Sequence, residues 1–132
     1  MSRNLNAKVG EMEYDGLVVD LVPEVEVRGG TIRKLAAETT IKRGTILAKS
    51  SADNKLVVLG TAAAEGETLT PDCILCDDVV VGTAEDVSVS VYTAGCFNTN
   101  RVHVADGYTI TESDFDALRK YSIVFKAAFA GN

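Results

Sequence analysis

The sequence predicts a small, mainly β domain of about seven or eight short strands with one short helix near the C-terminus. Three observations carry this prediction. Several segments alternate apolar and polar residues with period two. Short apolar runs are separated by Gly, Pro, Asn and Asp. A single stretch combines a capping residue with helical spacing of apolar side chains.

The elements follow in order. Residues 17–22 form a first β-branched run, and Val25 and Val27 then alternate with Glu24, Glu26 and Arg28. Further apolar runs occupy residues 45–48, 56–59 and 73–81. In residues 86–97, Val87, Val89 and Val91 lie on one side and Ser88, Ser90 and Tyr92 on the other, as in a strand with one wet face. Thr111 is a cap, Asp114 stands at capping-box spacing, and Phe115 and Leu118 share a helical face. Acidic residues in the first turn and Arg119 and Lys120 at the end suit the helix dipole. A closing strand then places Tyr121, Ile123, Phe125, Ala127 and Phe129 on one face. Ala62 to Glu65, boxed in by Gly60 and Gly66, reads as loop. Ala52-Asp53-Asn54, residues 82–86 and Asp106-Gly107 read as tight turns, so strands are expected to pair with their sequence neighbours.

At 132 residues the chain is long enough for one domain that hides roughly 65–70% of its unfolded surface without metal or disulfide staples. The expected organisation is an N-terminal arm over residues 1–13 and one β-rich domain over residues 14–132. The arm is read either as a frayed tail or as a segment that orders on a partner, for example by adding a strand to its sheet. With 13 Lys and Arg against 19 Asp and Glu, the net charge is −6 and the basic residues are scattered. Such a surface argues against direct nucleic-acid binding and against attachment to an anionic membrane. Residues 1–16 contain no secretory signal, and the longest apolar run, residues 56–64, falls short of the ~20 residues a membrane span needs. Three cysteines, an odd number, are expected to be free thiols in a reducing compartment.

Several residues invite a chemical reading. Cys73, Cys76, Cys96 and His103 together resemble a Cys₃His zinc set. However, Cys73-Ile74-Leu75-Cys76 reads as strand, on which residues three apart face opposite ways, so the thiols are expected to diverge and to bind no metal. His103, the one imidazole, is flanked by Val102 and Val104 and reads as a solvent-facing strand residue, with no local nucleophile signature beside it. Asp77-Asp78 and Glu85-Asp86 flank residues 79–83, where a hairpin would bring the pairs together around a hard cation; the plainer reading is solvated strand ends. Gly29-Gly30 lacks the lysine and hydroxyl of a P-loop, so neither nucleotide nor any other cofactor is expected.

Three stretches together resemble the phage lambda-type head decoration proteins. These are Ile41-Lys42-Arg43-Gly44-Thr45-Ile46-Leu47-Ala48-Lys49; Pro71-Asp72-Cys73-Ile74-Leu75-Cys76-Asp77-Asp78, followed by the alternating strand into Gly95-Cys96-Phe97-Asn98; and the acidic helix with Ala117-Leu118-Arg119 that leads into the last strand. Residues 11–33 match no motif of that family. The resemblance implies a bent-ribbon, β-clip-like domain and a capsid-stabilising structural protein of the virion, not an enzyme. It further implies a homotrimer at three-fold positions on the outside of an expanded double-stranded DNA phage head, made in the host cytoplasm and bound to the major capsid protein. In that family the arm is mobile when free and ordered on the shell, which makes Arg3, Leu5, Val9 and Tyr14 the expected capsid contacts here. Two other classes compete: a small-ligand or metal-binding β module, and a small β hydrolase using His103 with an acidic partner.

Overall fold

The structure, a computed structural model, describes residues 16–20 and 23–126. Their elements are β1 (Val18–Asp20), β2 (Glu26–Ile32), β3 (Thr39–Ile41), β4 (Ile46–Ser50), β5 (Leu56–Val58), β6 (Leu69–Leu75), β7 (Val79–Val81), β8 (Val87–Asn98), α1 (Glu112–Arg119) and β9 (Ile123–Lys126). The mainly β class and the single short helix near the C-terminus agree with the expectation, and the described residues hold nine strands. The extra strands have simple causes. The run 73–81 breaks at the exposed pair Asp77-Asp78 into β6 and β7, and β3 is too short for alternation to reveal it.

The twelve residues of β8 form the spine. At Val91 and Tyr92 this strand lies between β2 and β6, and at Cys96 and Phe97 it lies between β1 and β9. From β8 the pairing passes to β2, from β2 to β5 through the single pair Ile32 and Leu56, then to β4, to β6 and back to β8. The path closes into a small five-stranded barrel, while β3 and β7 pair separately. Closure leaves few open sheet edges, the usual hazard of a small all-β protein.

Alternation along the barrel strands builds two cores. Leu47, Leu56, Cys73, Leu75 and Val91 join Ile32, Ile41 and Val81 in one cluster. All five barrel strands contribute to it, so it fills the interior. Ile46, Ala48, Val57, Ile74 and Tyr92 point the other way and pack with Leu17, Val18, Phe97, Leu118 and Ile123. Fully burying an aliphatic or aromatic side chain contributes about 1.5–3 kcal/mol, so both layers are needed in a chain of this size. The outer core explains α1. Thr111 accepts from the Asp114 amide and Asp114 accepts from the Thr111 amide, completing the expected capping box, and Leu118 is fully buried.

Three expectations are corrected. Among the described strands only β4 and β5 form a hairpin; β7 pairs with β3 instead of β8, and β8 meets β9 in parallel, which requires the crossover that carries α1. Tyr92, expected on a wet face, is 2% exposed: beyond Ser90 the strand is covered on both faces, and the Tyr92 hydroxyl accepts from Arg43 Nη1 at 2.7 Å while the guanidinium sits 5.5 Å above its ring. Tyr121 does not share the Ile123 face but is 52% exposed, because Ser122 takes φ +68 and turns the chain just before β9.

Candidate functional site

The expected contacts Arg3, Leu5, Val9 and Tyr14 lie outside the described residues. What the structure describes is the root from which that segment leaves. Gly16 has φ +72, a left-handed conformation that favours glycine, and a Cβ there would lie a tight 3.3 Å from the Arg101 Nε. Immediately afterwards Leu17 and Val18 are buried, the Asn98 amide donates to the Leu17 carbonyl at 2.7 Å, and Val18 stands opposite Phe97. Lys126 Nζ bonds Asp20 at 3.0 Å, tying β9 to β1 across β8, and that hydrogen bond holds the ammonium above the usual lysine range. Leu17 and Val18 are therefore fastened to the outer core.

Beside the root is a shallow apolar groove of about 290 Å³, lined by Thr99, Phe115, Arg119, Ile123, Val124 and Phe125. Phe115 meets Phe125 edge-on at 5.0 Å, and Phe97 lies behind Phe125 at 6.3 Å. The Thr99 amide donates to the Lys126 carbonyl at 3.1 Å, so root, groove and the end of β9 converge at residues 98–99. Arg119 lines the groove and pairs with Asp116, and Lys126 at the end of β9 pairs with Asp20, so charges of both signs border it. The sequence reading gave Phe115 and Phe125 to separate faces; their pairing across ten residues depends on the α1 crossover and has no local signal.

The other candidates are not brought together. Cys73 belongs to the barrel interior and Cys76 to the outer core, so the two thiols diverge as strand geometry requires. Burial pushes the Cys73 thiol well above the usual range and that of Cys76 up to about 12, and it raises Cys96 as well. His103 is exposed, and its backbone amide donates to Gly44 O while its carbonyl accepts from the Ile46 amide. The acidic pairs serve local ends: Asp78 accepts from the Arg43 amide at 2.7 Å, and Asp86 accepts from the Lys34 amide at 2.9 Å and binds Lys55. Because β7 pairs with β3, no hairpin draws the two pairs together. Among the described residues no three His, Cys, Asp or Glu side chains gather as a metal set, and no helix is long and apolar enough to cross a membrane.

The described residues thus hold an apolar groove beside the root and no gathered set of reactive side chains. Searched among curated proteins, the chain finds no match. Against descriptions of whole families, residues 27–123 match that of bacteriophage lambda head decoration protein D. The match runs from β2 to the first residue of β9 and leaves the N-terminal segment and its root outside.

Proposed function

Because the chain belongs to the family of bacteriophage lambda head decoration protein D and is thus a structural protein of the phage head, we propose that it binds the outer surface of the expanded capsid as a homotrimer. Its seats are the three-fold positions, its partner is the major capsid protein, and its role is to hold neighbouring subunits together against internal DNA pressure. Synthesis in the host cytoplasm precedes assembly. The domain over residues 14–132 is the body, and residues 1–13 are the arm that grips the shell, with Arg3, Leu5, Val9 and Tyr14 as contacts.

The observation that carries this reading is the rigid root. Leu17 and Val18 are locked into the outer core directly after the φ +72 turn at Gly16, so tension on the arm passes to the body and not to a loop. A trimer multiplies the effect, since one engaged arm keeps the other two at high effective concentration. The acidic body suits a position away from packaged DNA.

The test is to mix the full chain with expanded, undecorated heads and sediment them. Saturable co-sedimentation in multiples of three per three-fold position, with heads that withstand heating longer, is expected. Protein left in the supernatant at every concentration overturns the proposal.

A further inference from the structure

The segment that precedes the root divides its charges by position. Residues 1–9 carry Arg3 and Lys8 and no acid, whereas residues 10–15 carry Glu11, Glu13 and Asp15 and no base. In an extended chain, residues two apart share a side at roughly 7 Å spacing, so these three carboxylates make one acidic side that ends a single residue before Gly16. The body meets that point with a cation. The Arg101 side chain lies along the Gly16 backbone, its Nε 3.3 Å and its Cγ 3.6 Å from where a Cβ on Gly16 would stand. The Arg101 backbone is itself held from two sides. Its amide donates to the Asn98 carbonyl at 3.0 Å, and a Cβ on Gly44 would come within 2.8 Å of its carbonyl oxygen. Arg101 is exposed and makes no ion pair among the described residues, while Asp20, the acid of neighbouring β1, bonds Lys126.

We propose that the acidic stretch over residues 11–15 lies against Arg101 of the same chain, with the Asp15 carboxylate on the guanidinium, and that this clasp sets the direction in which the arm leaves the body. Its purpose rests on the decoration reading above: residues 1–9, with Arg3 and Lys8, remain as the part that searches for the shell. Proximity and charge select this occupant. Asp15 is joined to the very residue along which Arg101 lies, so closing the pair fixes almost no intervening chain. Glu13 and Glu11 follow on the same side and extend the negative field toward the cation. A single exposed ion pair is weak and is screened by salt, so the clasp opens and recloses. Arg101 thereby acts as a positioning residue: an arm whose base is already oriented loses less freedom when it binds.

The experiment uses the full chain, as wild type, R101E and the charge-reversed pair D15K/R101E, with folding checked by thermal unfolding. Backbone mobility of residues 11–15 is compared with that of residues 2–8 by nuclear magnetic resonance relaxation, at about 20 mM and about 1 M salt. Residues 11–15 are expected to be as rigid as the body at low salt in the wild type and in D15K/R101E, and mobile in R101E and at high salt. Affinity for expanded heads is expected to fall about two- to fivefold in R101E and to return in D15K/R101E. Residues 11–15 as mobile as residues 2–8 in the wild type at low salt, or equally rigid in R101E, overturn the clasp. A loss of head affinity in R101E that D15K/R101E does not restore assigns Arg101 to the shell and also overturns it. So does rigidity that vanishes on dilution, which places the acidic stretch on a second copy. Failure of the wild type to sediment with heads refutes the decoration reading instead, and the mobility of the free chain still decides the clasp.

Discussion

The Tyr108 ring lies against the backbone of Gly60 so closely that a Cβ at Gly60 would sit 2.5 Å from the ring. Gly60 also has φ +99, and the next loop is anchored alongside by the Ala105 amide donating to the Leu59 carbonyl at 2.8 Å. Gly60→Ala is therefore expected to cost about 3 kcal/mol, the sum of left-handed strain and overpacking. Gly66→Ala, at φ +79 with nothing within 4 Å, keeps only the strain and is expected to cost about 1 kcal/mol. Urea unfolding of the two variants measures the difference; equal losses would contradict the contact.

Asp114 holds the start of α1 twice, accepting from the Thr111 amide at 3.0 Å and from the Tyr108 hydroxyl at 2.5 Å. Being largely buried, it leaves two donors unpaired when removed. Asp114→Ala is expected to lower stability by about 2–3 kcal/mol and Thr111→Ala by about 1 kcal/mol. Circular dichroism with chemical denaturation distinguishes these from a neutral outcome.

Stability should fall in acid through Glu67. The Ser50 hydroxyl, the Ala64 amide and Arg33 hold this carboxylate at about 2, below its unfolded value near 4.5. A lowered folded value means that the stabilisation is complete above pH 4.5 and is lost as the pH falls toward 2. Glu67→Gln is expected to be less stable than wild type at pH 7, with the gap closing between pH 4.5 and 2. Melting temperatures across that range provide the measurement, and a gap independent of pH would contradict it.

Cys73, Cys76 and Cys96 are buried, and all three thiols are raised by burial. No thiol among them is expected to react with Ellman's reagent at pH 8 in native protein, and all three are expected to react in denaturant. Added zinc should leave the melting temperature unchanged. Rapid reaction of the folded chain, or zinc stabilisation lost in Cys76→Ser, would restore the metal-site reading.

Local chemistry was legible in the sequence, and long-range pairing was not. Thr111, Asp114 and Leu118 announced the helix because caps and helical faces act over a few residues. Val87 and Val89 announced their strand because Ser88 and Ser90 remain wet. The signal failed at Tyr92, where the same strand becomes covered on both faces and the alternation no longer reports exposure. Ile32 beside Leu56, Thr40 beside Val80 and Phe115 beside Phe125 join residues distant in sequence, and only the closed barrel and the crossover bring them together. The candidate site was half legible: composition drew attention to the N-terminal segment, but the bond from Asn98 to Leu17 and the groove beside it depend on tertiary packing.

The most direct test removes residues 2–13 and compares this shortened chain with the full one for co-sedimentation with expanded heads. The shortened chain is expected to fold with an unchanged melting temperature, to remain trimeric, and to stay in the supernatant. Attachment as strong as that of the full chain would contradict the arm as the grip on the shell.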